Sequence, residues 1–282
     1  MNVQHFDISG SVVFWNVAAE TNMPRLQAEL EMIDEVEFLP GERTPFAAAK
    51  RAATKMYKRD HRVMSLAEEK GVTVEKITYG EIENTYTQVA YILVDDNGLQ
   101  YVHCMSGSDE ETEQLKQAWH YEFTLCSANA VGAALAKAIE KLDGYSLRPN
   151  GGVYFLPNWT TTRFEKIAAA FNASGASGRT DVHRMEVAHG DGTVRSVHQR
   201  ITEQFRQRVS EMRQELAEGL KKRGRENRAT EVEGMISKAA KYETLLDQSL
   251  AEVRAELQEM QTQLAMETIA QSAVVFEEMQ AA

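Results

Sequence analysis

The chain has 282 residues, of which 43% are hydrophobic, and it can therefore form one large domain or one domain with an extension. A formal net charge of −11 and a pI near 5.2 make its surface as a whole a poor match for nucleic acid or for an anionic membrane. Two cysteines, Cys104 and Cys126, exclude a disulfide scaffold and fit a reducing compartment. We find no run of roughly 18 apolar residues and no signal-peptide pattern. We therefore expect no membrane partner and a cytoplasmic location, in a bacterial cell or an infected host.

The first predicted elements are a strand and two helices. The run SVVFWNV at residues 11–17 is rich in β-branched and aromatic residues, which favour a strand. Asn22 is the expected N-cap of the next helix, whose first turn holds Pro24. Thr44 and Pro45 predict in the same way the start of a second helix, which runs through FAAAKRAATKMYKRD.

From about residue 63 to Met105 the sequence predicts an antiparallel block of strands. Its last two strands, NTYTQVAYILV and LQYVHCM, are joined by a turn with an Asn-Gly pair, which is a strong hairpin signal. Ser108 with Glu111 then forms a capping-box pattern that opens a helix. The helical pattern continues to about Leu142, either as one helix or as two helices joined near residues 126–129.

A pattern of glycine, apolar strand, polar loop and amphipathic helix occurs twice. It is seen in GSVVFWN followed by PRLQAEL, and again in GGVYFLPN followed by TRFEKIAAAF, where Thr162 and Glu165 form another capping box. A true repeat would make the two strands neighbours in one sheet. Convergence on a common supersecondary pattern would explain the same residues without that pairing.

The C-terminal third predicts two long amphipathic helices. Apolar residues recur every three or four positions from Val194 to Leu220, and again from Val232 to Leu264, on either side of the hinge KKRGRENRAT. The fold class predicted is α+β: a body of residues 1–192 with a mixed or antiparallel sheet and packed helices, and an antiparallel, coiled-coil-like helical hairpin of residues 193–282. The expected seam residues, which would pack between helices or between subunits, are Ile201, Phe205, Met212, Leu216, Leu246, Leu250, Val253, Leu257 and Leu264.

No stretch carries a convincing set of catalytic or metal-binding residues. The segment HRMEVAHGDG contains His183, Glu186 and His189, but a strand would place the two histidines roughly 20 Å apart, with the glutamate on the other face. Alternation also separates Cys104 from His103, so we interpret Cys104 as a small buried hydrophobe. The glycine-bearing stretches lack the spacing of a phosphate loop. We therefore predict no catalytic residue, no metal and no cofactor.

Two basic clusters interrupt the acidic sequence. Residues 50–62 hold six cations and one acid, and residues 221–228 hold five cations and one acid. This segregation favours contact with nucleic acid or with an acidic partner surface, and the alternative is a solvated helix face and a solvated hinge. The candidate contact residues are Lys50, Arg51, Lys55, Lys58, Arg59, Arg62, Lys221, Lys222, Arg223, Arg225 and Arg228.

The layout of the chain resembles that of uncharacterised proteins of bacteriophages and mobile elements. The resemblance lies in the VVFWNV strand, the stretch TPFAAAKRAATKMY, the GGVYFLP strand and the terminal helices with KAAKYETLL. It implies a phage or plasmid context and supplies no activity and no site residues. We predict a non-enzymatic assembly or adaptor protein that forms a homo-oligomer or docks a protein partner through its hairpin. The alternative is a nucleic-acid-binding accessory of replication or recombination that uses the basic clusters.

Overall fold

The computed structural model describes residues 8–17, 20–67, 69–148, 151–175 and 180–281, with only the backbone described for Ile8 and for residues 271–281. The fold is α+β with antiparallel sheets, as the sequence predicts. The helices are α1 (Met23–Met32), α2 (Pro45–Met56), α3 (Asp109–Phe123), α4 (Ala128–Lys141), α5 (Thr161–Ser174), α6 (Asp191–Ala217), α7 (Lys222–Leu246) and α8 (Ala251–Ala281). The strands are β1 (Ile8–Val17), β2 (Thr21–Asn22), β3 (His61–Ser65), β4 (Gly71–Thr78), β5 (Thr85–Asp95), β6 (Gly98–Cys104), β7 (Leu125–Cys126), β8 (Tyr145–Ser146), β9 (Val153–Pro157) and β10 (Thr180–Ala188).

Local capping signals in the sequence set several of the helix starts. The side chains of Asn22, Thr44 and Ser108 each accept a hydrogen bond from the backbone N–H three residues on, at 2.9, 3.2 and 3.2 Å. These three predicted N-caps are confirmed. The N-cap predicted at Thr162 is wrong, because α5 continues directly from a 3₁₀ turn at Asn158–Thr160 and begins at Thr161, two residues before the predicted start. The helical pattern at residues 108–142 forms two helices, α3 and α4, with β7 between them.

The chain divides into two compact units, each assembled from separate stretches of sequence. The first unit comprises Met1–Phe14, Ile139–Thr162 and His183–Ala282, and the second comprises Trp15–Ala138 and Arg163–Val182. The sequence predicts a single boundary at residue 192 instead. The difference arises because the N-terminal strand and the strands near residue 150 group with the C-terminal helices, and this long-range association leaves no local mark in the sequence.

The sheet of the first unit has the strand order β10-β1-β9-β8. Strand β1 pairs with β9 in antiparallel register, from Gly10 opposite Pro157 to Phe14 opposite Val153. The two strands of the repeated sequence pattern are therefore neighbours, although antiparallel. A Cβ atom at Gly10 would overlap the carbonyl oxygen of Leu156, so the close approach of these strands requires glycine at this position.

The long C-terminal helices form a three-helix core, whereas the sequence predicts a two-helix hairpin. The expected second helix is interrupted after Leu246, where Asp247 adopts a left-handed conformation with φ of 48°. The chain then reverses, and the Leu250 backbone N–H donates to the Glu243 carboxylate at 2.7 Å. The expected hinge in the basic cluster is also displaced, because α7 begins at Lys222 and the turn lies at Gly219, with φ of +94°.

Ion pairs between the helices give their relative directions. Between α6 and α7 they join Arg208 to Glu231 and Arg228 to Glu215. Between α6 and α8 they join Arg206 to Glu256 and Arg213 to Glu259. Helix α6 therefore runs antiparallel to α7 and parallel to α8.

The expected seam residues lie in the interior of this single chain. Eight of the nine are buried in the cluster that α6, α7 and α8 share, and Leu216 packs against that cluster while partly exposed. The same cluster includes Tyr145 and Phe155 of the sheet. Burial of the apolar stripes therefore requires no second subunit.

The second unit contains a four-stranded antiparallel sheet with the order β3-β4-β5-β6. Helices α2 and α3 share a buried cluster with the inward side chains of this sheet. Four small residues of α2 allow the helix backbone to lie close to the strands: Ala48, Ala49, Ala52 and Ala53.

A buried carboxylate joins α2 to α3. Glu122 of α3, with a side chain only 2% exposed, binds Arg43, Arg51 and Lys55. The Arg43 guanidinium, 6% exposed, also donates to the Glu122 carbonyl oxygen at 2.9 Å. Sequence patterns do not reveal this network, because Glu122 lies more than 60 residues along the chain from its three partners.

Replacing Glu122 with glutamine should lower the free energy of unfolding by about 3–5 kcal/mol, because the buried Arg43 guanidinium loses its counter-charge. Urea unfolding would measure the change. Glu113→Gln is the matched control, since this exposed carboxylate lies 3.7 Å from Lys116 and such surface pairs contribute about 0–1 kcal/mol. Equal losses in the two variants would contradict a structural role for the network.

Leu257→Ala should lower the free energy of unfolding by about 2–5 kcal/mol, because Leu257 is fully buried in the three-helix core. The exposed Ile269, replaced by alanine, should change it by less than about 0.5 kcal/mol. In the double variant Met266→Glu, Ile269→Glu, which lacks the exposed apolar pair of α8, the midpoint of thermal unfolding should be independent of protein concentration. A midpoint of this variant that rises with concentration would show that the apolar stripes pack between subunits.

Candidate functional site

Half of the cations in the first basic cluster form ion pairs within the chain. Arg51 and Lys55 bind Glu122, and Arg62 binds Glu75 on the neighbouring strand at 2.6 Å. Three further cations of this cluster are exposed and form no ion pair with any residue that the structure describes: Lys50, Lys58 and Arg59. Only half of the predicted contact residues in this cluster therefore remain available for an anionic partner.

The second basic cluster occupies the start of α7. Arg228 binds Glu215 at 2.6 Å and Glu231 at 2.7 Å. Arg225 is buried and donates to the Leu220 carbonyl oxygen. Lys221, Lys222 and Arg223 are exposed. The two basic clusters lie in different units of the chain, and each retains three exposed cations that form no ion pair with a described residue.

The histidines of the HRMEVAHGDG segment have separate neighbours on β10 and just beyond it. The His183 ring stacks on Phe14 at a centroid distance of 5.0 Å, and His189 Nδ1 lies 2.8 Å from the Ser9 hydroxyl. Among the described residues, no group of three or more histidine, cysteine, aspartate or glutamate side chains could hold a metal ion.

Cys104 and His103 point to opposite faces of β6, as strand alternation predicts. Cys104 belongs to the buried cluster under α2 and α3, which confirms its interpretation as a small buried residue. His103 lies on the other face of the sheet, where it meets two tyrosine rings.

The face of the sheet opposite α2 and α3 carries a group of neighbouring rings. Tyr91 of β5 lies directly opposite His103, and Tyr101 lies diagonally from it. The ring centroids are 5.4 Å apart for Tyr91 and His103, 5.7 Å for the two tyrosines, and 6.1 Å for Tyr101 and His103. Met64 lies in the same cross-strand row as Tyr91 and is 43% exposed, and Tyr101 is 48% exposed. We refer to Met64, Tyr91, Tyr101 and His103 as the aromatic face.

The hairpin between β5 and β6 sets the register that brings the rings together. The Asp95 carboxylate accepts hydrogen bonds from the backbone N–H groups of Asn97 and Gly98, at 2.8 and 2.9 Å. These bonds lower the pKa of Asp95. Ala90 and Ile92 point into the core, so Tyr91 between them points outward.

The segment that carries the aromatic face is rich in acidic residues. Residues 61–104 contain three lysines or arginines and seven aspartates or glutamates, a net charge of −4. Two of the three cations are already paired, Arg62 with Glu75 and Lys70 with Asp96. Loss of hydration, the adjacent Tyr101 and the Glu69 carboxylate together raise the pKa of Tyr91, so its ring stays neutral. This surface should attract cations and repel phosphate.

No motif in the sequence marks the aromatic face, although strand alternation and the Asn-Gly turn together indicate part of it. Alternation along β6 places His103 and Tyr101 on one face, and the Asn-Gly turn predicts that β5 folds back beside them. The pairing of Tyr91 with His103 depends in addition on a register irregularity between Leu93 and Val94, which no residue pattern indicates.

The chain belongs to DUF6744, a family of unknown function, whose pattern it matches over residues 10–275. No curated protein and no solved structure matches it. Among the described residues, no helix combines the length and apolar character needed to cross a membrane. The family assigns no activity, and the resemblance to phage and mobile-element proteins stays a prediction.

Proposed function

We propose that the protein is a non-enzymatic adaptor that docks a cationic segment of a protein partner on its aromatic face. The observation that carries this proposal is the group of three neighbouring rings on the open face of the sheet. Clustered aromatic residues on a surface are typical of interaction sites, where rigid rings contribute much of the binding energy. The hydrogen-bonded strands hold these rings in place before any partner binds.

The charge around the rings favours a cationic partner. Lysine and arginine side chains bind the faces of aromatic rings, and a negative surrounding potential adds long-range attraction. The same sheet already contains one such contact, because the Arg62 guanidinium lies 3.7 Å from the centre of the Tyr86 ring. A partner's arginine could bind Tyr101 in the same manner.

Nucleic-acid binding through the basic clusters has less support. Ion pairs within the chain engage part of each cluster, and the net charge of residues 61–104 opposes phosphate near the rings. Bases do stack on exposed aromatic side chains, however. A single-stranded oligonucleotide therefore belongs in the same experiment as a second probe.

Self-association through α8 is a second candidate. Met266 and Ile269, three positions apart, are 65% and 71% exposed beyond the last core residue, Leu264. Residues at this spacing share one face of a helix. If they carry the contact, light scattering should report an oligomer for the wild type and a monomer for Met266→Glu combined with Ile269→Glu. A monomeric wild type would exclude this candidate.

Tyr101→Ala should weaken binding of a fluorescent arginine-rich peptide by about fivefold, because a cation–π contact contributes about 1 kcal/mol. Fluorescence anisotropy would measure the dissociation constant at low and high salt. Tyr121→Ala is the matched control, since Tyr121 is a 54% exposed tyrosine on α3 outside the aromatic face. Both variants should unfold within about 1 kcal/mol of the wild type.

Two outcomes would contradict the proposal. Equal peptide affinities for Tyr101→Ala and Tyr121→Ala would show that the rings do not contact the peptide. Binding of oligothymidylate without binding of the peptide would favour the nucleic-acid alternative.

A further inference from the structure

A cavity of about 690 Å³ lies within the first unit, between α6, α7 and residues 140–148. This volume is in the range of small-molecule sites. Charged side chains of both signs line it. The carboxylates are those of Glu140, Asp143, Glu203, Glu211 and Glu231, and the cations are those of Arg148, Arg200, Arg208 and Lys238. The docking surface proposed above lies in the second unit, so the two sites are independent.

Lys238 presents an amine with unusual properties to this cavity. Its side chain is partly buried, and Nζ donates a hydrogen bond to the Gly144 carbonyl oxygen at 2.7 Å. Desolvation lowers the pKa of Lys238 to about 8, although the carboxylates of Asp143 and Glu140 act in the opposite direction. At neutral pH its uncharged fraction is on the order of a hundredfold larger than that of an ordinary lysine. An uncharged amine is a nucleophile.

The cavity also offers donors for an anionic group. The Arg148 guanidinium forms no ion pair with any described residue. Arg200 binds Glu203 through Nη1 at 2.5 Å, while its buried Nε has no hydrogen-bond partner in the described part of the chain. Arginine side chains recognise carboxylate and phosphate groups.

We propose that Lys238 forms an imine with a small aldehyde or ketone that carries a carboxylate or phosphate group. The uncharged amine nitrogen adds to the carbonyl carbon, and it gives up one proton while the carbonyl oxygen takes one up, which yields a carbinolamine. Loss of the hydroxyl group together with the remaining nitrogen proton, as water, leaves a carbon–nitrogen double bond, so the step needs no oxidant or reductant. Glu140 lines the same cavity, and its charge favours the protonated form of the Lys238 amine. Arg148 binds the anionic group.

Pyridoxal 5′-phosphate, an aldehyde with a phosphate group, is a suitable probe for the full chain. After brief incubation and borohydride reduction, peptide mass mapping should find most of the label on Lys238. Pyridoxal, which lacks the phosphate, should label Lys238 less. Lys238→Arg should lose this label, whereas Lys241→Arg is the matched control and should retain it, because Lys241 lies one turn away and is bound to Asp143 at 2.7 Å.

Arg148→Gln keeps the test independent of folding, since Arg148 is exposed. It should reduce labelling by pyridoxal 5′-phosphate to the level seen with pyridoxal and leave labelling by pyridoxal unchanged. Label spread over exposed lysines, with no excess on Lys238, would overturn the proposal. Equal labelling of Lys238 by the two aldehydes would overturn the role of Arg148 and the anionic group.

Discussion

Helices α2 and α3 pack on one face of the β3-β4-β5-β6 sheet, and this one-sided packing determines what the sheet presents on its other face. The inward side chains of the strands alternate with outward ones, so burying Ala90 and Ile92 forces Tyr91 outward. The alanines of α2 bring that helix close to the strands, and Glu122 fixes α2 to α3 through three cations. The exposed rings are thus a consequence of how the core of this unit is built.

The distribution of charge follows from contacts between residues that are distant in sequence. The cluster at residues 50–62 is strongly basic in sequence, yet two of its members form ion pairs with Glu122 and Glu20 and a third with Glu75. Around the aromatic face the excess is anionic. A surface of neutral rings in an anionic setting binds cations by two physical effects, the quadrupole of the rings and the long-range potential.

The sequence predicts the elements of this fold better than it predicts their assembly. Helix caps at Asn22, Thr44 and Ser108 and the hairpin before Gly98 depend on local chemistry, and the structure agrees with them. The reversal at Asp247 was missed because the segment 247–250 has neither glycine nor proline, and the apolar spacing continues through it from Leu246 to Leu250. The predicted seam residues do form apolar stripes, but these stripes are buried among three helices of the same chain, α6, α7 and α8.

The two candidate sites were harder to predict for a related reason. The aromatic face depends on the pairing of two strands, and the Lys238 cavity depends on helices meeting the turn at Asp143 and Gly144. Neither arrangement has a characteristic residue spacing. Contacts of this kind, between residues distant in sequence, are determined by packing. A local sequence pattern can therefore indicate which face of an element a residue occupies, but not which residues of other elements lie beside it.

The most direct test of docking on the aromatic face is an NMR titration of the isotope-labelled protein with an arginine-rich peptide. Chemical-shift changes should concentrate on the rings and backbone of Tyr91, Tyr101 and His103 and on neighbouring positions of β3 to β6. Shift changes confined to residues 221–228 or to α8, with the aromatic face unchanged, would contradict it.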